Sequence, residues 1–130
     1  MLSKFSLIAF FGLLGVFSRY FLGILAQRFM PSPFPYATFS INIGGAFFIG
    51  VIYVLGVERS FISPDLRIAL IVGFLGGFTT FSSYCLEGVR LIEESRYFYA
   101  ILYLGGSPFL GVIATSAGIL MARKLLGGAL

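Results

Sequence analysis

Residues 76 to 88 read GGFTTFSSYCLEG, so the hydroxyls of Thr79, Thr80, Ser82, Ser83 and Tyr84 and the carboxyl of Glu87 interrupt an apolar run that begins at Ile68. Where water is scarce, such groups suit two kinds of chemistry. Hydroxyl and amide N–H donors replace the hydration of an anion, and carbonyls released from a broken helix coordinate a cation. Similar donors recur along the chain. Thr38 and Asn42 lie one helical turn apart in YATFSINIGGAFFIG, and Tyr103 and Ser107 are four apart in YLGGSPFLG, so each pair shares a face; Thr115 extends the second set. Asparagine in an apolar span is expected to bond across helices or line a wet path. Phe81 and Tyr84, three apart, stack along one face if helix resumes after the threonines. Such a pair serves as ordinary core, or its ring edges, which carry partial positive charge, guide a small anion past the hydroxyls without a full charge to trap it.

Other chemistries find little support. Histidine is absent and Cys85 is the lone cysteine, read as a small buried apolar residue, so disulfides, thiolate metal clusters and histidine proton relays are not expected. No nucleophile and base can be paired, so the chain is not expected to be an enzyme, and no nucleic-acid partner is expected. Arg19 is either an arginine reaching an interface or a buried structural cation or anion attractant. Glu87 is either a functional ionisable group or a residue near the aqueous end.

The elements that position these groups follow from composition. The 130 residues are 58% hydrophobic and 11% charged, which assigns the chain to the lipid bilayer. At about 20 residues per span, this length holds at most four transmembrane helices, read as one domain over residues 1–130. The segments run about Phe5 to Leu25, Tyr36 to Val57, Leu66 to Ile92 and Phe98 to Leu120. They are separated by QRFMPSPFP, with its three prolines, by ERSFISPD and by EESRY. Lys4 precedes the first apolar stretch, which lacks a small-x-small cleavage site and is kept as the first helix. Ser63, Pro64 and Asp65 form a capped helix start. The third segment exceeds the length of a straight span, and GFLGGFTTFSS in its middle tolerates a break whose freed backbone groups need protein, ion or water; the alternative is a packed Gly/Ser/Thr face on an intact helix. Gly12, Gly15, Gly23, Gly44, Gly45 and Gly50 suit close helix packing. Pro108 disturbs the fourth helix locally.

Four helices enclose little, so a homodimer with its site between subunits is expected. Lys4, Arg59, Arg67, Arg123 and Lys124 fall on the N-terminal face, against Arg28, Arg90 and Arg96 opposite, with Arg19 nearer the latter. So weak a bias permits insertion both ways and an antiparallel dimer, and is also compatible with one orientation and a cytoplasmic N-terminus.

GVFSRY in the first helix, ATFSINIGGAFFIG in the second, GFLGGFTTFSS followed by Glu87 in the third and YLGGS in the fourth together resemble the Fluc (CrcB) fluoride channels over the whole chain. GGxTTFS combined with the second-helix asparagine is the specific part. The resemblance implies an all-α membrane protein with four helices per subunit and a broken third helix. It further implies an antiparallel dual-topology homodimer in the bacterial inner membrane, with two fluoride-selective pores that passively export fluoride. By the same resemblance Asn42 and Phe81 line the pore, Tyr84 stands at the second pore phenylalanine, and Tyr103 and Ser107 lie on a hydroxyl track. The carbonyls of Gly76 and Thr79 from both subunits hold a structural Na⁺ at the dimer interface. Three positions depart from the family pattern: Tyr84, whose hydroxyl extends the track or narrows the pore; Gly111, where a hydroxyl is frequent; and SSYC in place of STFS. The resemblance also implies that phenylalanine serves at position 84. The nearest rival, a proton-coupled transporter of the small multidrug resistance type, needs an embedded carboxylate, usually in its first helix, where this chain has Arg19 and no acid. A non-transporting assembly subunit would explain the glycines and leave Asn42 and the break without a purpose.

Overall fold

The computed structural model describes residues 2–127, and among them it is helical throughout with no strand. Four helical segments are long and apolar enough to cross a membrane: Ser3–Phe29, Tyr36–Glu58, Pro64–Glu93 and Tyr97–Leu125. They comprise α1 (Leu2–Phe29), α2 (Tyr36–Tyr53), α3 (Pro64–Ile68), α4 (Gly76–Phe78), α5 (Phe81–Glu93) and α6 (Tyr97–Leu125). Two π-helical segments complete the spans. Val54–Glu58 ends the second, and Ala69–Leu75 joins α3 to α4 within the third. Each span outruns its expected boundaries at one or both ends, because helical hydrogen bonding continues into polar terminal residues that hydropathy treats as loop.

Sequence punctuation sets the ends. Pro31, Pro33 and Pro35 lack N–H groups and stop α1 before α2 begins. Ser63 caps α3, its Oγ accepting from the Leu66 N–H at 3.3 Å, with Pro64 in the first turn and Asp65 beside it. The third span breaks at Thr79 and Thr80, whose backbones are extended. Thr80 then caps α5 by accepting from the Ser83 N–H at 3.3 Å.

Small residues fix the packing. A Cβ at Gly15 would strike the carbonyl of Phe74, and one at Gly77 would lie 2.6 Å from the carbonyl oxygen of Gly12, so α1 and the third span meet backbone to backbone. Likewise α2 meets α6 where Gly50 faces the Thr115 carbonyl and Gly118 the Phe47 carbonyl. Gly23 and Gly44, expected in the same role, have no neighbour within 4 Å in the protomer. The main buried cluster joins α5 to α6 through Tyr84, Leu91, Ala100 and Tyr103, with Phe34, Phe39, Tyr99 and Leu104 around it. Large apolar side chains cover the outside, as a lipid-facing surface requires. Cys85, expected buried, is exposed on that surface. Lys4 pairs with Asp65 at 2.9 Å, Arg123 Nε donates to Glu58 at 3.0 Å, and Arg67 Nη1 donates to the Gly56 carbonyl at 3.0 Å, tying down that end of the bundle.

Candidate functional site

The break is held from outside its own helix. Asn42 on α2 grips the backbone of Thr80 at two points: Nδ2 donates to the Thr80 carbonyl at 3.0 Å, and Oδ1 accepts from the Thr80 N–H at 2.8 Å. In a continuous α-helix that N–H would serve the Gly76 carbonyl. The Ser83 N–H, the helical donor for the Thr79 carbonyl, turns to Thr80 Oγ1 instead. The Leu75 carbonyl keeps its helical donor, the Thr79 N–H at 2.9 Å, and gains the Thr79 hydroxyl at 2.8 Å. Arg19 reaches from α1 to donate through Nε to the Gly77 carbonyl at 3.0 Å. Of the readings open for Arg19, it acts as a structural cation that caps the break.

Gly76 and Thr79 are therefore the two positions in the break whose helical donors are diverted to side chains. Their carbonyls are neutral, hard oxygen donors of the kind that suits a monovalent cation. Among the described residues, no group of three or more His, Cys, Asp or Glu is placed to hold a metal ion.

Beside the break lies a cavity of about 380 Å³, lined by Asn42, Thr80, Phe81, Tyr84, Ser107 and Pro108 among others. Phe81 is 76% exposed on the protomer, and its ring centroid lies 5.7 Å from that of Tyr84, so the two rings are neighbours on one face, tilted by 33° and not stacked. Asn42 uses one N–H on Thr80, and a primary amide carries two, so one donor remains for a guest. The Ser107 hydroxyl is buried without a protein partner, an exception to the rule that buried hydroxyls are paired. A groove with a free amide N–H, an unpaired hydroxyl and two aromatic rings in its lining offers donors that suit a small anion.

Four of the five expected lining residues, Asn42, Phe81, Tyr84 and Ser107, thus meet at one cavity. Tyr103 lies outside it. Fully buried, Tyr103 donates its hydroxyl to Glu87 at 2.6 Å, and Thr38 donates to the other oxygen of the same carboxyl at 2.8 Å. Glu87 is half-buried and joins α2, α5 and α6 through these bonds. It also lines a second cavity of about 370 Å³ with Gln27, Phe34, Arg90 and Glu94. Thr115 donates to the Ala46 carbonyl at 2.7 Å and pins α6 to α2, so its hydroxyl is not a free member of a track. The Tyr84 hydroxyl donates to the Leu104 carbonyl at 2.6 Å, so that its proton is engaged across to α6. Sequence reasoning placed Thr38 and Glu87 within helices and missed their shared bond. Its faint signal was that Thr38 shares a face with Asn42 while Glu87 lies two turns beyond Thr80.

Comparison with known proteins agrees with this geometry. The family model described as CrcB-like protein, Camphor Resistance (CrcB), matches residues 6–119. A protein of Chlorobium luteolum named fluoride-specific ion channel FluC is 45% identical over 112 residues, covering 86% of each chain. One of the same name from Chlorobium chlorochromatii is 44% identical over 116 residues, 89% of each. Another, from Geotalea uraniireducens, is 42% identical over 118 residues, 91% of this chain and 95% of the relative. With the broken third span, the second-helix asparagine that clamps it and a match running through all four spans, this multi-pass membrane protein belongs to the CrcB family.

Proposed function

We propose that the chain forms a fluoride-selective channel that passively exports fluoride across the bacterial plasma membrane and so lowers its toxicity. The observation that carries this reading is the unpaired Ser107 hydroxyl in a groove shared with Phe81 and the remaining Asn42 N–H. These weak donors in series replace part of the water a small anion loses, and none binds tightly enough to hold it. Relatives covering nearly the whole chain are named fluoride-specific ion channels, which supports the same reading. Transport of this kind is passive and needs no catalytic group.

The groove is open along the side where Phe81 is exposed, which supports a second copy closing it. In this reading residues 1–130 act as a single channel domain, and two copies in inverted orientation form a dual-topology homodimer with two pores. At their interface the Gly76 and Thr79 carbonyls of both copies would hold a structural Na⁺, which supplies positive charge and a fixed junction at the break. Oxygen contacts at sodium distances on the dimer axis are the expected crystallographic result, and an axis occupied only by side chains would count against it.

Fluoride efflux from liposomes containing only the purified protein tests the function, with chloride as control. Release of fluoride alone is expected. A proton-coupled transporter of the small multidrug resistance type would instead exchange cationic compounds for protons, and α1 carries no carboxylate for that exchange.

A further inference from the structure

The hydroxyl of Tyr84 and the ring of Pro108 sit on different helices, yet their chemistry is complementary. In α6 the carbonyl of Leu104 would ordinarily accept from the N–H of residue 108, and proline has no N–H to give. Lipid offers no replacement, so a carbonyl left without a donor within a membrane span is costly. The Tyr84 hydroxyl donates to that same oxygen at 2.6 Å.

We propose that Tyr84 is a positioning residue of the ion path. Its hydroxyl takes the place of the N–H that Pro108 lacks, ties α5 to α6, and leaves only the aromatic ring to face the cavity. Tyr84 is 9% exposed, with its ring between Phe81 at 5.7 Å and Tyr103 at 5.1 Å, so fixing the hydroxyl fixes the middle ring of three. One turn further along α5, Gly88 leaves room for the Leu104 side chain, so the two helices also approach closely there. Tyr84 and Pro108 line the same cavity. The tyrosine therefore presents a phenylalanine-like surface to the path, and phenylalanine serves at position 84 only when residue 108 can donate its own N–H.

The inference rests on the channel reading for its consequence in transport, but the tether itself does not. A double-mutant cycle tests it with Tyr84→Phe, Pro108→Ala and the double variant. Three measurements are made on each: reversible unfolding in detergent, fluoride efflux from liposomes, and the infrared band of a carbon-13, oxygen-18 labelled Leu104 carbonyl. With Pro108 present, Tyr84→Phe is expected to lower the folded-to-unfolded ratio about tenfold, the scale of a buried acceptor losing its donor. Efflux should fall with it, and the Leu104 band should rise in frequency as the carbonyl loses its hydrogen bond. In the Pro108→Ala background, the same substitution should change the ratio by less than about twofold and leave both efflux and the band where Pro108→Ala alone puts them. Equal losses in the two backgrounds, or an unmoved band when Tyr84 is replaced beside Pro108, overturn the proposal. If Tyr84→Phe alone does not fold, recovery of folded double variant is the expected result, and failure of both variants overturns it. If the unaltered protein releases no fluoride, the channel reading fails while the unfolding and infrared measurements still decide the tether.

Discussion

Phe81 packs its ring against Tyr84 and is otherwise 76% exposed on the protomer, so its contribution to the protomer's own core is small. Replacing it with isoleucine keeps bulk and apolarity and removes the aromatic edge. We expect Phe81→Ile to abolish fluoride efflux while the protein still elutes as a folded species in gel filtration; normal efflux from this variant would shift the burden to Ser107 and Asn42. At this scale the sequence was informative about residue type and less so about partners. Asn42 was legible as a polar group needing a reason, because an amide in an apolar span is conspicuous. Its double grip on Thr80 was not legible, since helical spacing defines the face a residue occupies but not the rotation of that face against another helix. Tyr103 shows the same limit. Four residues from Ser107 and on its face, it is nonetheless drawn to Glu87, a carboxylate on a different helix.

Helix contacts depend on where side chains are missing. Gly15 faces the Phe74 carbonyl so closely that a methyl group there forces α1 away from the third span, whereas Gly23, two turns later, meets nothing within 4 Å in the protomer. Gly15→Ala should therefore cost about 1–3 kcal/mol and Gly23→Ala much less, measured by equilibrium unfolding in mixed micelles. Equal effects would mean that the α1 seam is not the close contact described. Four spans and the break in the third were readable at the level of elements, the first from the lengths of the apolar runs and the second from Gly76, Gly77, Thr79 and Thr80 together. The π-helical segments were not, because Val54–Glu58 and Ala69–Leu75 are apolar stretches that suit an α-helix equally well. In the first of them the Gly56 carbonyl accepts from the Arg67 side chain, a bond between segments that spacing does not reveal.

At the scale of the molecule, five Lys and Arg residues fall on the N-terminal face and three on the other, with Arg19 engaged at the break, and so weak a bias selects no strong orientation. A C-terminal tag should consequently be reached by an impermeant reagent from both sides of the membrane within one population, and labelling from a single side only would rule out dual topology. Within this symmetric frame the break must still face the right way, and there the π-helical segment Ala69–Leu75 has a consequence for insertions and deletions. A π turn accommodates one more residue than an α turn, so it is the structural form of a one-residue insertion absorbed without unfolding the helix. Deleting one residue from it would return a regular α-helix and leave α3 and the residues beyond the segment close to their present faces, whereas the same deletion in a regular stretch of α-helix would rotate one side against the other by about 100°. A chain one residue shorter at this point would keep both its third helix and its site.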